Sequence, residues 1–559
     1  MAEREQVSMP RHLIALLFAF GIMPLAAQSA VHDLTGAQPF PGEHLGTVAF
    51  SVSCSPKVRA PFSRGVALLH DFWYEEAQRQ FERIAKSDPD CAMAHWGIAM
   101  SEFHQIWDRP DEHTVARAWS EMQAARSPPA KTAREREYIA ALSGFFRPDK
   151  RGYKSRVEGY AAAMAKLYGD HPHDTDAGAF YALSLLAAEA PDDTSLAPEH
   201  EAMAVLNPLF AKYPDHPGVV HYIIHACDTP LLARDGLAAA RHYGKIAATA
   251  PHAVHMPGHI FARLGMWRED IESNVGSVAA SKAAQERHQS GAMDQFHSDD
   301  FLLYAYLQTG QDARALAVRA DLGNALAGFE ATGDMGEHYM EGMFPFYRTK
   351  LPVFFYLEMR DWKTAAALEP LAAALPETQT MTYWARTVAA GHLRRPQQAR
   401  ADLADYESLM EKVRQGKNAY LADSTGARIR RGEMQGWVAF AEGNSADALK
   451  SMRDSADLQD KVGQGEVDIP AREMLGDMLL ELGQPREALI EYKRALALSP
   501  NRFNGLYHAG MAAEAAADEA QARSYYTALL NSTDSGSHSA RPEFEHARTY
   551  TASVTLADK

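Results

Sequence analysis

The sequence predicts an all-α fold, a right-handed superhelix of stacked helix pairs. Three observations lead there. Alanine is abundant and β-branched residues are sparse, which favours helix over strand. At 559 residues the chain exceeds what one hydrophobic core normally serves, so it is either several domains or one array of repeats. Small, aromatic and proline residues also return at a spacing of 34 residues, the period of a helix-pair repeat.

The elements follow from that spacing. In MLGDMLLELGQPREALIEYKRALALSP (474–500), Gly476 and Ala488 let two helices approach, Tyr492 fills their seam and Pro500 ends the second helix. Gly510, Ala522 and Tyr526 repeat the pattern 34 residues on. RGVALLHDFWYEEAQRQFERIAKSDPD (64–90) sets Gly65, Ala77, Phe81 and Pro89 in the same register, with Trp73, Tyr74 and Trp96 as seam or core aromatics. Degenerate copies are marked by Pro172, Pro214, Gly265, Gly310, Trp362 and Gly443, while 105–150 and 415–430 read as insertions.

These stretches resemble the tetratricopeptide-repeat (TPR) superfamily over roughly residues 60–535, so the expected fold is a TPR-like α-solenoid. RGVALLHDFWYEEA, CAMAHWGIAM, HPGVVHYIIHACD, HMPGHIFARLGMW and PNRFNGLYHAGMAAEAA are similar to strings in a group of long exported bacterial TPR proteins. The resemblance implies an architecture and, by the habit of the superfamily, a groove that binds peptide or protein. It assigns no catalytic residue.

Composition excludes some partners. A net charge of −16, with no basic stripe interleaved with aromatics, argues against nucleic acid and anionic membrane surfaces. Arg11 and His12 precede LIALLFAFGIMPLAA, and Ala27 and Ser29 suit a cleavage site. Residues 1–30 therefore read as a signal peptide for export to the periplasm or cell exterior, against an uncleaved anchor or a buried helix. Apart from that run no segment reads as a membrane span. The remaining boundaries are an N-terminal segment (31–60), an N-terminal and central solenoid (61–400), C-terminal repeats (401–535) and a tail (536–559). Of three cysteines, Cys54 and Cys91 either form a disulfide or stay reduced and buried, leaving Cys227 odd.

In the TPR register, positions 2, 5, 9, 12 and 13 of the first helix face the groove. With Gly265 at position 15, His252, His255 and His259 fall at 2, 5 and 9. With Pro214 at position 32, His221 and His225 fall at 5 and 9 of the preceding repeat, and Asp228 at 12. Gly310 in turn puts His297, Asp300 and Tyr304 at 2, 5 and 9. His70 and His104 share position 13 of two earlier repeats, and Glu473 and Asp477 take 5 and 9 of a late one.

Imidazoles at i and i+4 converge on one metal ion, and neighbouring helices supply more. The expected ligands are His221, His225, His255 and His259, with His252, His297, His338 and Asp228 in reserve; without metal, the same imidazoles line the groove for a polar ligand or hydrogen-bond one another. Zinc or copper suits such a set, and iron is possible if a carboxylate completes it. Asp228 or Asp300 is a ligand or an orienter of histidine, and if the site is catalytic the candidate groups are Asp228, Asp300 and Tyr304, the last a nearby hydroxyl. Pro257 puts the second pair at risk by kinking its helix.

GDMGEHYMEGMFPFY (333–347) carries Glu337, His338, Glu341 and the soft ligands Met335, Met340 and Met343, though a lid or core role competes. Glu473 and Asp477 read as a receptor for a cationic peptide side chain. His70 and His104 line the groove. HPHD (171–174) lies in a connector and faces solvent.

Two classes of function remain. One is a metal-binding protein, an oxidase or hydrolase if a coordination position stays open, acting on a small molecule or peptide. The other is an exported scaffold that holds a peptide or protein partner without catalysis.

Overall fold

The computed structural model describes residues 39–106, 109–190, 193–332, 342–465, 467–533, 539 and 541–557. Among them the chain is all-helical, a solenoid in which consecutive helices pack on one another and alternate helices touch. The signal-peptide reading of 1–30 lies outside the described residues, as do Met335, Glu337, His338, Met340 and Glu341. No described helix is long and apolar enough to cross a membrane.

The late repeat forms where its pattern puts it, as helices Ala471–Glu481 and Pro485–Leu498, with the Tyr492 ring against Gly476. Residues 105–150 contain helices Glu112–Ala124 and Ala133–Phe146, capped by Asp111 and by a Thr132–Glu135 capping box. The segment read as a tail carries a helix, Pro542–Ala557, packed on Glu519–Ser532.

The helices that build the site are labelled in chain order: α1 (Arg59–His70), α2 (Thr175–Ala188), α3 (Pro217–Ala226), α4 (Pro251–His255), α5 (Pro257–Arg263), α6 (Trp267–Glu286) and α7 (Ala292–Gln308). The array is not an open trough. It coils back so that α1 touches α3, and α7 touches the helix Phe503–Ala515. Trp73 donates its indole hydrogen to the Ser290 carbonyl (2.8 Å), and Trp267 donates to that of Asn501 (2.7 Å).

Buried ions fasten the second closure. Arg502, 1% exposed, donates to Glu358 (2.9 Å) and to both oxygens of Glu473 (2.9 and 3.0 Å). Arg360 holds Asp477 at 2.8 Å, and the Tyr492 hydroxyl donates to the same carboxylate at 2.6 Å. Glu473 and Asp477 were expected to await a partner's cation. The cations they receive are the chain's own, because the coil brings these arginines into the groove.

Cys54 and Cys91 form a disulfide that ties the N-terminal segment to the turn preceding Ala92–Met100. Cys227 is a buried free thiol whose pKa burial pushes up to about 12, and its sulfur lies 3.6 Å from that of Met203.

Candidate metal centre

α3 and the α4–α5 pair carry the histidines on neighbouring repeats. Pro257 removes one backbone donor and interrupts the helix at Met256, but Met256 keeps helical angles (φ −52°, ψ −36°). His255 and His259 therefore still converge, their Nε2 atoms 2.9 Å apart. His221 and His225 do the same at 3.0 Å.

The four expected ligands do not form one group. The structure sorts six histidines into two trios: His221, His225 and His252, then His255, His259 and His297. Within each trio, one ligand atom per residue lies within 4.8 Å of the others. The expected reserves His252 and His297 thus supply the third member of each. The reason is geometric. Position 2 of one repeat's first helix lies beside positions 5 and 9 of the preceding repeat's first helix, so each trio spans two repeats. The trios adjoin where His252 and His255 share a helical turn, ring centroids 6.2 Å apart.

Hydrogen bonds fix how the rings present themselves. His221 donates from Nδ1 to the His70 backbone carbonyl (2.6 Å), and burial holds its pKa down at about 3. The neutral ring then carries its lone pair on Nε2. His255 Nδ1 lies 2.6 Å from Asn274 Oδ1. That amide orientation is set because its NH2 donates to the Asp270 backbone carbonyl (2.9 Å) and carboxyl group (2.6 Å). His259 Nδ1 donates to Asp228 Oδ2 (3.0 Å), while Arg263 grips the other oxygen at 2.9 Å. Asp228 therefore contacts His259 and Arg263 and belongs to neither trio.

With both Nδ1 atoms donating, neutral His255 and His259 aim two lone pairs at each other across 2.9 Å. With those tautomers, a proton or a metal ion between the two nitrogens relieves the contact. Metal–nitrogen bonds of ~2.0–2.1 Å set neighbouring ligand atoms about 3–3.5 Å apart, close to the spacing seen. In the first trio a hydrogen on His225 Nε2 also satisfies the contact.

Two glycines permit the support. A Cβ on Gly258 would stand 2.7 Å from Asn274 Nδ2 and 2.8 Å from Asp270 Oδ1, so this glycine lets α6 reach His255. A Cβ on Gly218 would stand 2.2 Å from His70 Nδ1, so it admits the His70 ring against α3.

Aromatic rings close over the imidazoles. Phe301 meets His255, His259 and His297 at centroid distances of 4.8, 4.9 and 5.3 Å. Phe72 stacks on His225 (5.5 Å) and His252 (5.4 Å). Phe72 has φ 56°, in a turn that uses glycine at 265, 310, 443 and 483. The left-handed conformation costs a non-glycine residue ~1–2 kcal/mol and here delivers a ring to the first trio.

Other expected residues lie elsewhere. Asp300 pairs with Lys350 and joins neither trio. Tyr304 donates to the Asp468 carbonyl (2.7 Å) and contacts Arg502, so it belongs to the closure network. The phenol beside the cluster is Tyr347, whose hydroxyl lies 3.1 Å from His297 Nδ1. His104 follows the helix Ala92–Met100, where its ring stacks on Tyr74 and Nε2 lies 3.1 Å from the Ser101 carbonyl.

His70 groups with Asp176 and His216 instead, and that trio is internally satisfied. The Tyr222 hydroxyl donates to His70 Nδ1 (2.9 Å), and Val219 N–H donates to His216 Nδ1 (3.3 Å). Each imidazole then donates from Nε2 to Asp176 Oδ1, at 3.0 and 3.2 Å. Its chemistry is that of a brace behind His221. A cavity of about 760 Å³ beyond it is lined by Arg134, His171, Asp174, Asp176 and His216 rather than by the two trios.

Sequence reasoning missed Asn274, Tyr347, Phe72 and the His70 carbonyl. A polar residue on the buried face of α6 was a usable signal for Asn274, whereas nothing local marks a backbone carbonyl.

No protein-family model matches the sequence, and no curated protein matches it. Solved structures do match, among them the human IFIT1 dimer with m7Gppp-AAAA. That alignment covers 79% of this chain and 90% of that one, at 9% identity and a TM-score of 0.35.

Proposed function

We propose that this chain is an exported metal-binding TPR protein whose six central histidines hold two ions, one in each trio. The observation that carries the reading is the His255–His259 contact, where two oriented rings turn their Nε2 lone pairs on one point. A third imidazole, His297, stands at that point, which is more ligand than a shared proton uses. The Asp228–His259 pair is the carboxylate–histidine arrangement that orients metal-bound imidazole. Copper and zinc are the favoured ions for an all-imidazole set.

Export is part of the proposal. It draws on the apolar N-terminal run, on the Cys54–Cys91 disulfide, which suits an oxidising compartment, and on the resemblance of several strings to those of long exported bacterial TPR proteins.

Elemental analysis of tag-free full-length protein tests the metal reading. Two equivalents of copper or zinc per chain are expected, falling to about one in His225→Ala and in His297→Ala. Metal-free protein that rejects added copper and zinc, yet retains a peptide or protein partner, would leave the scaffold reading in its place.

A further inference from the structure

We infer that the two trios work as one dinuclear copper centre that binds dioxygen between its ions. The inference rests on the metal-binding reading above and goes beyond it by naming the ion pair and the ligand.

The donor set selects the metal. All six ligand residues are imidazoles, and neither trio includes a carboxylate or thiolate. Two zinc ions would bring four positive charges to donors that bring none, in a buried site where charge is costly. Two copper(I) ions bring half that charge and accept three-coordinate nitrogen ligation. Two carboxylates flank the trios without joining them: Asp228 is shared between His259 and Arg263, and Asp294 Oδ1 lies 3.4 Å from His252 Nδ1.

The arrangement makes the ions neighbours. His252 and His255 belong to different trios but sit three residues apart on one helical stretch. Three protein ligands per ion leave a coordination position for an outside molecule. Phe72 stacks on the first trio and Phe301 on the second, so each presents an apolar ring face that suits a small uncharged gas.

The binding step balances without another reactant. Each copper(I) gives one electron to dioxygen, producing two copper(II) ions and a bridging peroxide. The O–O bond order falls from two to one, two copper–peroxide links form, and no proton moves. Release of dioxygen returns both electrons to the metals.

The test loads the full-length apoprotein anaerobically with two equivalents of copper(I), then admits dioxygen. An intense near-ultraviolet peroxide-to-copper(II) charge-transfer band should appear and fade on purging. The oxygenated form should lack an electron paramagnetic resonance signal, since bridged copper(II) ions couple. His297→Ala, tested as folded by circular dichroism, should bind about one copper and give no band. Two bound coppers with ordinary uncoupled copper(II) signals and no band would overturn the dinuclear inference while leaving metal binding intact. Failure to retain copper in either trio would overturn both.

Discussion

His221 donates its Nδ1 hydrogen to the backbone carbonyl of His70, 2.6 Å away and 151 residues earlier in the chain. The bond joins α1 to α3 and leaves the Nε2 of His221 facing His225. The coil of the solenoid, rather than any local motif, therefore sets the tautomer of a candidate ligand.

Gly218 controls that join. Gly218→Ala places a methyl where the His70 ring now lies, and relieving the overlap should cost ~1–3 kcal/mol. Urea unfolding measures it. An unchanged midpoint would show that the His70 brace moves freely.

Asn274→Ala removes the acceptor that aligns His255 without touching the first trio. Loss of such a partner typically lowers metal affinity about 10–100-fold. Competitive chelator titration should resolve two sites, with only one weakened. Equal weakening of both, or of neither, would contradict the assigned support.

How much of this was legible in the sequence depends on the element. Gly476 and Tyr492 announce their helix pair because close approach and seam filling are local to one repeat. His255 and His259 announce their convergence because i,i+4 spacing survives even the break at Met256. The trios were not legible: His252 joins His221 and His225 through the packing of successive repeats, which no spacing records. Nor was the fate of Glu473 and Asp477, since their cations arrive from 502 and 360 only when the coil closes.

Arg502 carries the heaviest load of that closure. Arg502→Met leaves Glu358 and Glu473 buried against each other and should destabilise the protein by ~3–5 kcal/mol. Adding Glu358→Gln and Glu473→Gln should recover part of the loss. A single substitution that leaves the unfolding midpoint unmoved would show that the ions do not hold the closure.

Acid should act through His508. Its Nδ1 donates to the Asn504 carbonyl at 2.8 Å, and burial, with the Arg360 guanidinium second, holds its pKa down at about 4. In the unfolded chain it titrates near ~6.5, so the unfolded state takes up this proton first. Its contribution is whole above about pH 6.5 and drains away as pH falls toward 4. Melting temperatures should therefore fall less steeply across that window in His508→Asn than in the parent protein. Matching slopes would show that the residue titrates normally in the fold.

X-ray data collected at the copper absorption edge from crystals of the copper-loaded protein locate the ions themselves. Two anomalous peaks are expected, one among the imidazoles of His255, His259 and His297, the other among those of His221, His225 and His252. A single peak, peaks remote from these rings, or none at all would contradict the two-ion reading.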